Sequence, residues 1–111
     1  MSVDTALSKS MSETQRLQNL SEDELSMELL SQGVSVLLFG EILRRYQKQI
    51  YYHCRNLLVN HDDSDDAAQN TFIKVWQNLD QFKGESRLRT WVYRIATNES
   101  INLLRKRKPT I

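Results

Sequence analysis

The chain is poor in the residues that break helices or staple small folds. Its 111 residues include one cysteine, one proline and three glycines. A single thiol, Cys54, excludes an internal disulfide. It sits in an apolar helical pattern and reads as a small core residue rather than a reactive nucleophile, and a reducing, cytoplasmic setting fits it. So little glycine and proline argues against a turn-rich β architecture and for long helices. No apolar run approaches the ~20 residues that a membrane span needs, and the N-terminal twenty residues lack the apolar core of a signal peptide. Catalytic groupings are also missing. The acidic stretch "HDDSDD" has neither the glycine nor the spaced acids of a calcium loop, and no nucleophile is paired with a base. His53 and His61 are separated by an expected helix end. Capping and an exposed acidic turn explain these residues, so the reading is of a non-enzyme with no cofactor and no metal.

What is present describes one small all-α domain. Hydrophobic residues make up 40% of the chain and charged residues 26%, ordinary values for a soluble fold. The net charge of +1 hides a strong segregation: residues 1–30, 31–60, 61–82 and 83–111 carry −4, +3, −4 and +6. A basic final quarter following an acidic segment points to two surfaces with different partners.

Residues 1–20 are polar and without periodicity, and read as a mobile leader. "SEDE" at 21–24 is a capping box that opens a short helix carrying Leu25, Leu29 and Leu30, with Gly33 as its stop. A longer helix spans about Val34 to Leu58, with Val36, Phe39, Leu43, Tyr46, Ile50, Cys54 and Leu57 as its apolar stripe. "NHDDSDD" then supplies an acidic start for a helix from about Ser64 to Leu79. Its inner face is Ala68, Phe72, Val75, Trp76 and Leu79; its outer face is Asp66, Gln69, Asn70, Lys74 and Gln77. After the loop "DQFKGES", a last helix begins near Ser86 or Thr90 and runs into "LLRKRK", with Pro109 as a stop. The expected architecture is a compact bundle of three main helices plus a short N-terminal helix.

The last helix and the loop before it carry the most chemistry. At 100° per residue, Leu88, Trp91, Val92, Ile95, Ala96 and Leu103 share an apolar sector. Arg94, Asn98 and Arg105 form a neighbouring polar strip, with Ile101 at its edge. Arginine and asparagine are donor-rich groups suited to phosphates and base edges. An isolated helix of this kind would read as a solvated amphipath with a basic tail. The loop changes that balance, because Phe82, Lys83 and Gly84 place a ring and a cation beside it. Base stacking on a ring is worth ~1–3 kcal/mol in single-strand binding. A pocket built from "FKGES" and the next helix would suit one extruded base.

The blocks "DAAQNTFIKVW", "LDQFKGESRLRTWVYRIATN" and "INLLRKRK", in this order and spacing, resemble region two of bacterial RNA polymerase sigma factors. Within these, the chain is most similar to the extracytoplasmic-function group. The resemblance covers roughly residues 22 to 108 and implies a non-enzymatic promoter-melting and polymerase-docking domain over residues 21–108. It implies that the helix over 64–79 docks on a coiled coil of the largest subunit of core RNA polymerase. The usual pattern there is Asp, then Gln three residues on, then Glu; Asp66 and Gln69 match and Asn70 departs, so one charge of the contact is missing. It also implies that Phe82, Lys83, Gly84, Glu85 and Ser86 capture a flipped base of the minus-ten non-template strand. Asn98 then contacts the promoter, and Arg87, Arg89, Arg94 and Arg105 hold the backbone. Trp91 is expected in the core and Tyr93 is left open. Val92 stands where housekeeping relatives carry a second tryptophan, a departure typical of the extracytoplasmic-function group. An anti-sigma factor is a further partner the resemblance implies. A C-terminal helix-turn-helix domain that reads the minus-thirty-five element is expected in the family and absent from this chain, which is read as a fragment of a two-domain protein in preference to a natural single-domain relative. The competing reading is a helical module that binds only protein, with "RKRK" as a solubility tail.

Overall fold

The computed structural model describes residues 12–107 of the chain. Five helices and one 3₁₀ turn occur among the described residues, and no strand does. Residues 12–18 form α1. They are followed by α2 (Glu22–Gln32), α3 (Val36–Leu57), α4 (His61–Asn78), a 3₁₀ turn (Leu79–Gln81) and α5 (Leu88–Arg107). The three long helices pack against one another in all three pairings, and α2 lies against α5. The all-α bundle expected from the sequence is the fold observed.

Local chemistry sets the helix ends. The Ser21 hydroxyl accepts from the Glu24 N–H at 3.1 Å, and the Glu24 carboxylate accepts from the Ser21 N–H at 2.8 Å. Both halves of the capping box are therefore made. Gly33 ends α2 at φ 86°, where a side chain would be strained, and its N–H donates to the Leu29 carbonyl. Ser35 caps α3 through the Leu38 N–H. Helix α4 starts three residues before the expected Ser64, because Asn60 is its cap: the Asn60 Oδ1 accepts from the Asp63 N–H at 2.7 Å. Asp63 and Ser64 are consequently buried rather than part of an exposed acidic turn.

The core is a ladder along α3 at steps of four: Leu38, Ile42, Tyr46, Ile50, Cys54 and Leu58 are all buried. Opposite stand Ala67, Ala68, Phe72, Val75 and Leu79 before α5, and Leu88, Val92 and Ala96 on it. The stripe read from the sequence is rotated from this ladder. Phe39 and Leu43 are half-buried on its flank, and Val36 and Leu57 protrude at the two ends, 74% and 38% exposed. Burial pushes the Cys54 thiol up, which fits its core position.

The leader reading needs correction over residues 12–20. This segment is a helix followed by a turn, and Leu17 is only 2% exposed. Its anchor is electrostatic as well as apolar. The Arg45 guanidinium donates to the Leu17 carbonyl at 2.9 Å and to the Leu20 carbonyl at 2.6 Å. A cation thus satisfies carbonyls at the negative end of α1. Glu41, 4% exposed, accepts from Arg45 and from Arg44 and holds both guanidinium groups. The first part of the leader, residues 1–11, and the Pro109 stop lie outside the described residues.

Candidate nucleic-acid and protein interfaces

The loop from Phe82 to Arg87 is pinned at both ends. Phe82 closes the 3₁₀ turn with its N–H donating to the Leu79 carbonyl, and Leu88 opens α5 fully buried. Between them Lys83, Gly84, Glu85 and Arg87 are exposed and Ser86 is half-buried. The Ser86 hydroxyl donates to the Arg87 carbonyl at 3.2 Å. Gly84 has φ 77°, a left-handed conformation that only glycine adopts without strain. Phe82 is where the structure departs from the expected pocket. It is 4% exposed, and its ring meets the half-buried Trp91 edge-on at 5.5 Å. The aromatic closest to the glycine anchors the loop from inside and offers no face to a base. Trp91 packs on the core, as the apolar sector indicated.

Along α5 the polar strip is outside, as the helical wheel requires. Arg94, Asn98 and Arg105 are all exposed. Arg94 and Asn98 border a shallow hollow of about 370 Å³ that Thr90, Tyr93 and Thr97 complete. Arg105 stands about 16 Å beyond Arg94 along the axis at 1.5 Å per residue, so it is separate from the loop and from the hollow. Arg89 points back across α5: its guanidinium lies over the Tyr93 ring, 5.1 Å from the centroid.

Tyr93, undecided from sequence, is held from three sides. Its hydroxyl donates to Gln49 Oε1, Arg89 covers one face, and the His53 ring packs on it at 4.8 Å. The Thr97 hydroxyl donates to the Tyr93 carbonyl at 3.0 Å, which leaves its oxygen free to accept from His53 Nε2 at 2.8 Å. Burial pushes the His53 imidazole down, and with the Thr97 proton already given to the Tyr93 carbonyl, Nε2 is the donor of the pair. His53, dismissed as a metal ligand, therefore orients residues behind the basic strip. The periodicity that put His53 beside Cys54 carried no signal for this, since its partners lie on another helix.

On a different side of the bundle, the outer face of α4 exposes Asp66, Gln69 and Asn70. The Gln69 amide donates to Asp65 Oδ2 at 3.1 Å. Of these, Gln69 and its partner Asp65 border an apolar groove of about 880 Å³ between α3 and α4, with Phe39, Tyr52, Phe72, Ile73 and Trp76 in its walls; Asp66 and Asn70 lie outside it. Trp76 is 45% exposed and packs edge-on against Phe39 at 5.2 Å. The sequence placed it in the core beside Val75. Val75 takes the inner face fully buried, and Trp76 lies at the flank of that face, against Phe39 of α3. Ile73, one turn earlier, accompanies it at 53% exposure. The pair at i, i+3 was the available sign of an apolar patch outside the core.

Residues 42–110 match the family described as Sigma-70 region 2. Among curated relatives, the ECF RNA polymerase sigma factor SigW of Bacillus subtilis is 41% identical over 71 residues, covering 64% of this chain and 38% of the relative. The ECF RNA polymerase sigma factor SigG of Mycobacterium tuberculosis is 36% identical over 66 residues, covering 58% and 18%. The ECF RNA polymerase sigma-E factor of Haemophilus influenzae is 35% identical over 85 residues, covering 74% and 42%. The matched stretch thus spans less than half the length of each of these relatives.

Proposed function

The chain belongs to the sigma-70 region 2 family, in its extracytoplasmic-function branch, and from that premise we propose that it docks on core RNA polymerase and opens promoter DNA at the minus-ten element by holding the non-template strand. It acts as a transcription initiation factor without chemistry of its own. The observation that carries this reading is the arrangement of α5 and its leading loop. Lys83 and Arg87 on the loop and Arg94 and Asn98 on the helix are all exposed, and the helix that carries the last two is backed by the packed core. Phosphates held along this edge orient the strand, and the loop samples a base that has left the stack. The α4 face supports the second half. Asp66, Gln69 and Asn70 supply polar contacts, and Ile73 and Trp76 supply apolar area that a helical partner would cover. The core RNA polymerase coiled coil is the proposed partner there. An anti-sigma factor would regulate the chain by competing for the same surfaces.

The groove alone also suits a module that binds only protein, and one experiment decides between the two. Fluorescence anisotropy of labelled minus-ten-like DNA, with the chain bound to core RNA polymerase, should favour single-stranded over duplex DNA by about tenfold, the scale of one stacked base. Equal affinity for both forms, unchanged by Arg94→Ala with Asn98→Ala, would leave the protein-only reading standing.

A further inference from the structure

The loop lacks the stacking surface that holding a base requires. Phe82 is turned into the core against Trp91. Lys83, Gly84 and Glu85 are exposed but provide no broad apolar face. An extruded base needs its ring faces covered as well as its edges bonded. The apolar surface at the loop apex comes from α2. Leu25 and Leu29 of that helix point into the core, while Leu30, one residue on, is 46% exposed. It lies directly against Gly84: a Cβ built there would stand 2.9 Å from Leu30 Cδ1. The apex glycine is thus required twice, by its φ of 77° and by the leucine against it.

We propose that Leu30 is the floor of the base-capturing pocket. It supports the loop through Gly84 and offers its exposed methyl groups to one face of the captured base. This inference rests on the proposed function above, and it adds α2 to the elements that determine which base is accepted. The edge of the base is read by the polar loop groups, and its face lies on Leu30. Loss of the methyl groups lets the loop settle and removes the platform, so discrimination between bases falls while phosphate contacts on α5 persist.

The test is selection of short random-sequence single-stranded DNA by the full 111-residue chain, reading base preference at each position alongside the melting temperature. The wild-type chain should show a preference at one position. Leu30→Ala should keep its melting temperature and overall affinity but lose about fivefold of that preference, the scale of a lost stacking contact. Leu30→Met should restore most of it. Gly84→Ala should also lose preference, and the double variant Leu30→Ala with Gly84→Ala should lose less than the two single losses combined, because the collision is relieved. If Leu30→Ala fails to fold, Leu30→Gln, which keeps side-chain length and removes the methyl groups, carries the same expectation. Wild-type preference in a folded Leu30→Ala or Leu30→Gln chain overturns the proposal. No affinity of the wild-type chain for single-stranded DNA overturns the functional reading, and the pocket with it.

Discussion

Glu41 shows how much one carboxylate can organise. It is almost wholly buried, and it holds Arg44 and Arg45, the second of which secures α1. Burial pushes its carboxyl up, but the hydrogen bonds from Arg44 and Arg45 outweigh this and hold it below the usual carboxylate range. With a lowered folded value, its stabilisation is complete above the free-glutamate value of about 4.3 and is lost as pH falls further. Glu41→Ala leaves Arg45, with 15% of its side chain exposed, facing no carboxylate, and should cost about 3 kcal/mol in urea unfolding at neutral pH. An unchanged midpoint would mean that water replaces the carboxylate at no cost. His53 has the same sign at higher pH. Its folded value is depressed, so stability should decline as pH falls below about 6.5, the unfolded value. His53→Gln keeps a donor for Thr97 and should flatten thermal melts across that window. An equally pH-dependent variant would place the titration elsewhere.

At the scale of elements, the helices were legible wherever signals are local. The capping box at Ser21, the stop at Gly33 and the exposed strip on α5 follow from spacing alone. Features determined by distant partners were not. Helix α1 is polar apart from Leu17, and its anchor Arg45 lies on α3; no periodicity within residues 1–20 reports that bond. The stripe of α3 holds at Tyr46, Ile50 and Cys54, with Phe39 and Leu43 packed against the core, and fails only at its ends. Val36 and Leu57 fit the period but stand at the helix ends, 74% and 38% exposed. Phe82 was expected in the loop pocket, and its contact with Trp91, nine residues on along α5, turns it into the core instead. Leu17→Ala tests whether α1 belongs to the fold. With Leu17 2% exposed, the substitution should destabilise by about 2–3 kcal/mol. A leader making no packing contribution would tolerate it without a measurable shift in the unfolding midpoint.

For the whole molecule, the segregation of charge along the chain becomes a segregation in space. The acidic segment folds into α4, whose polar face borders the Ile73–Trp76 groove. The basic segment folds into α5 and its loop. Both pack on the same small core, so the two proposed partners would be held without competing for area. Binding of each should then fail independently. The direct measurement pairs two variants, Ile73→Ala with Trp76→Ala on α4 and Arg94→Ala with Asn98→Ala on α5, in separate titrations with core RNA polymerase and with single-stranded minus-ten DNA. The α4 variant should lose affinity for polymerase by tenfold or more, about 1.4 kcal/mol, and keep its affinity for DNA. The α5 variant should do the reverse, with its salt dependence falling by about 0.7 for the lost phosphate contact. If either variant weakens both partners equally while remaining folded, the division into two independent surfaces is contradicted.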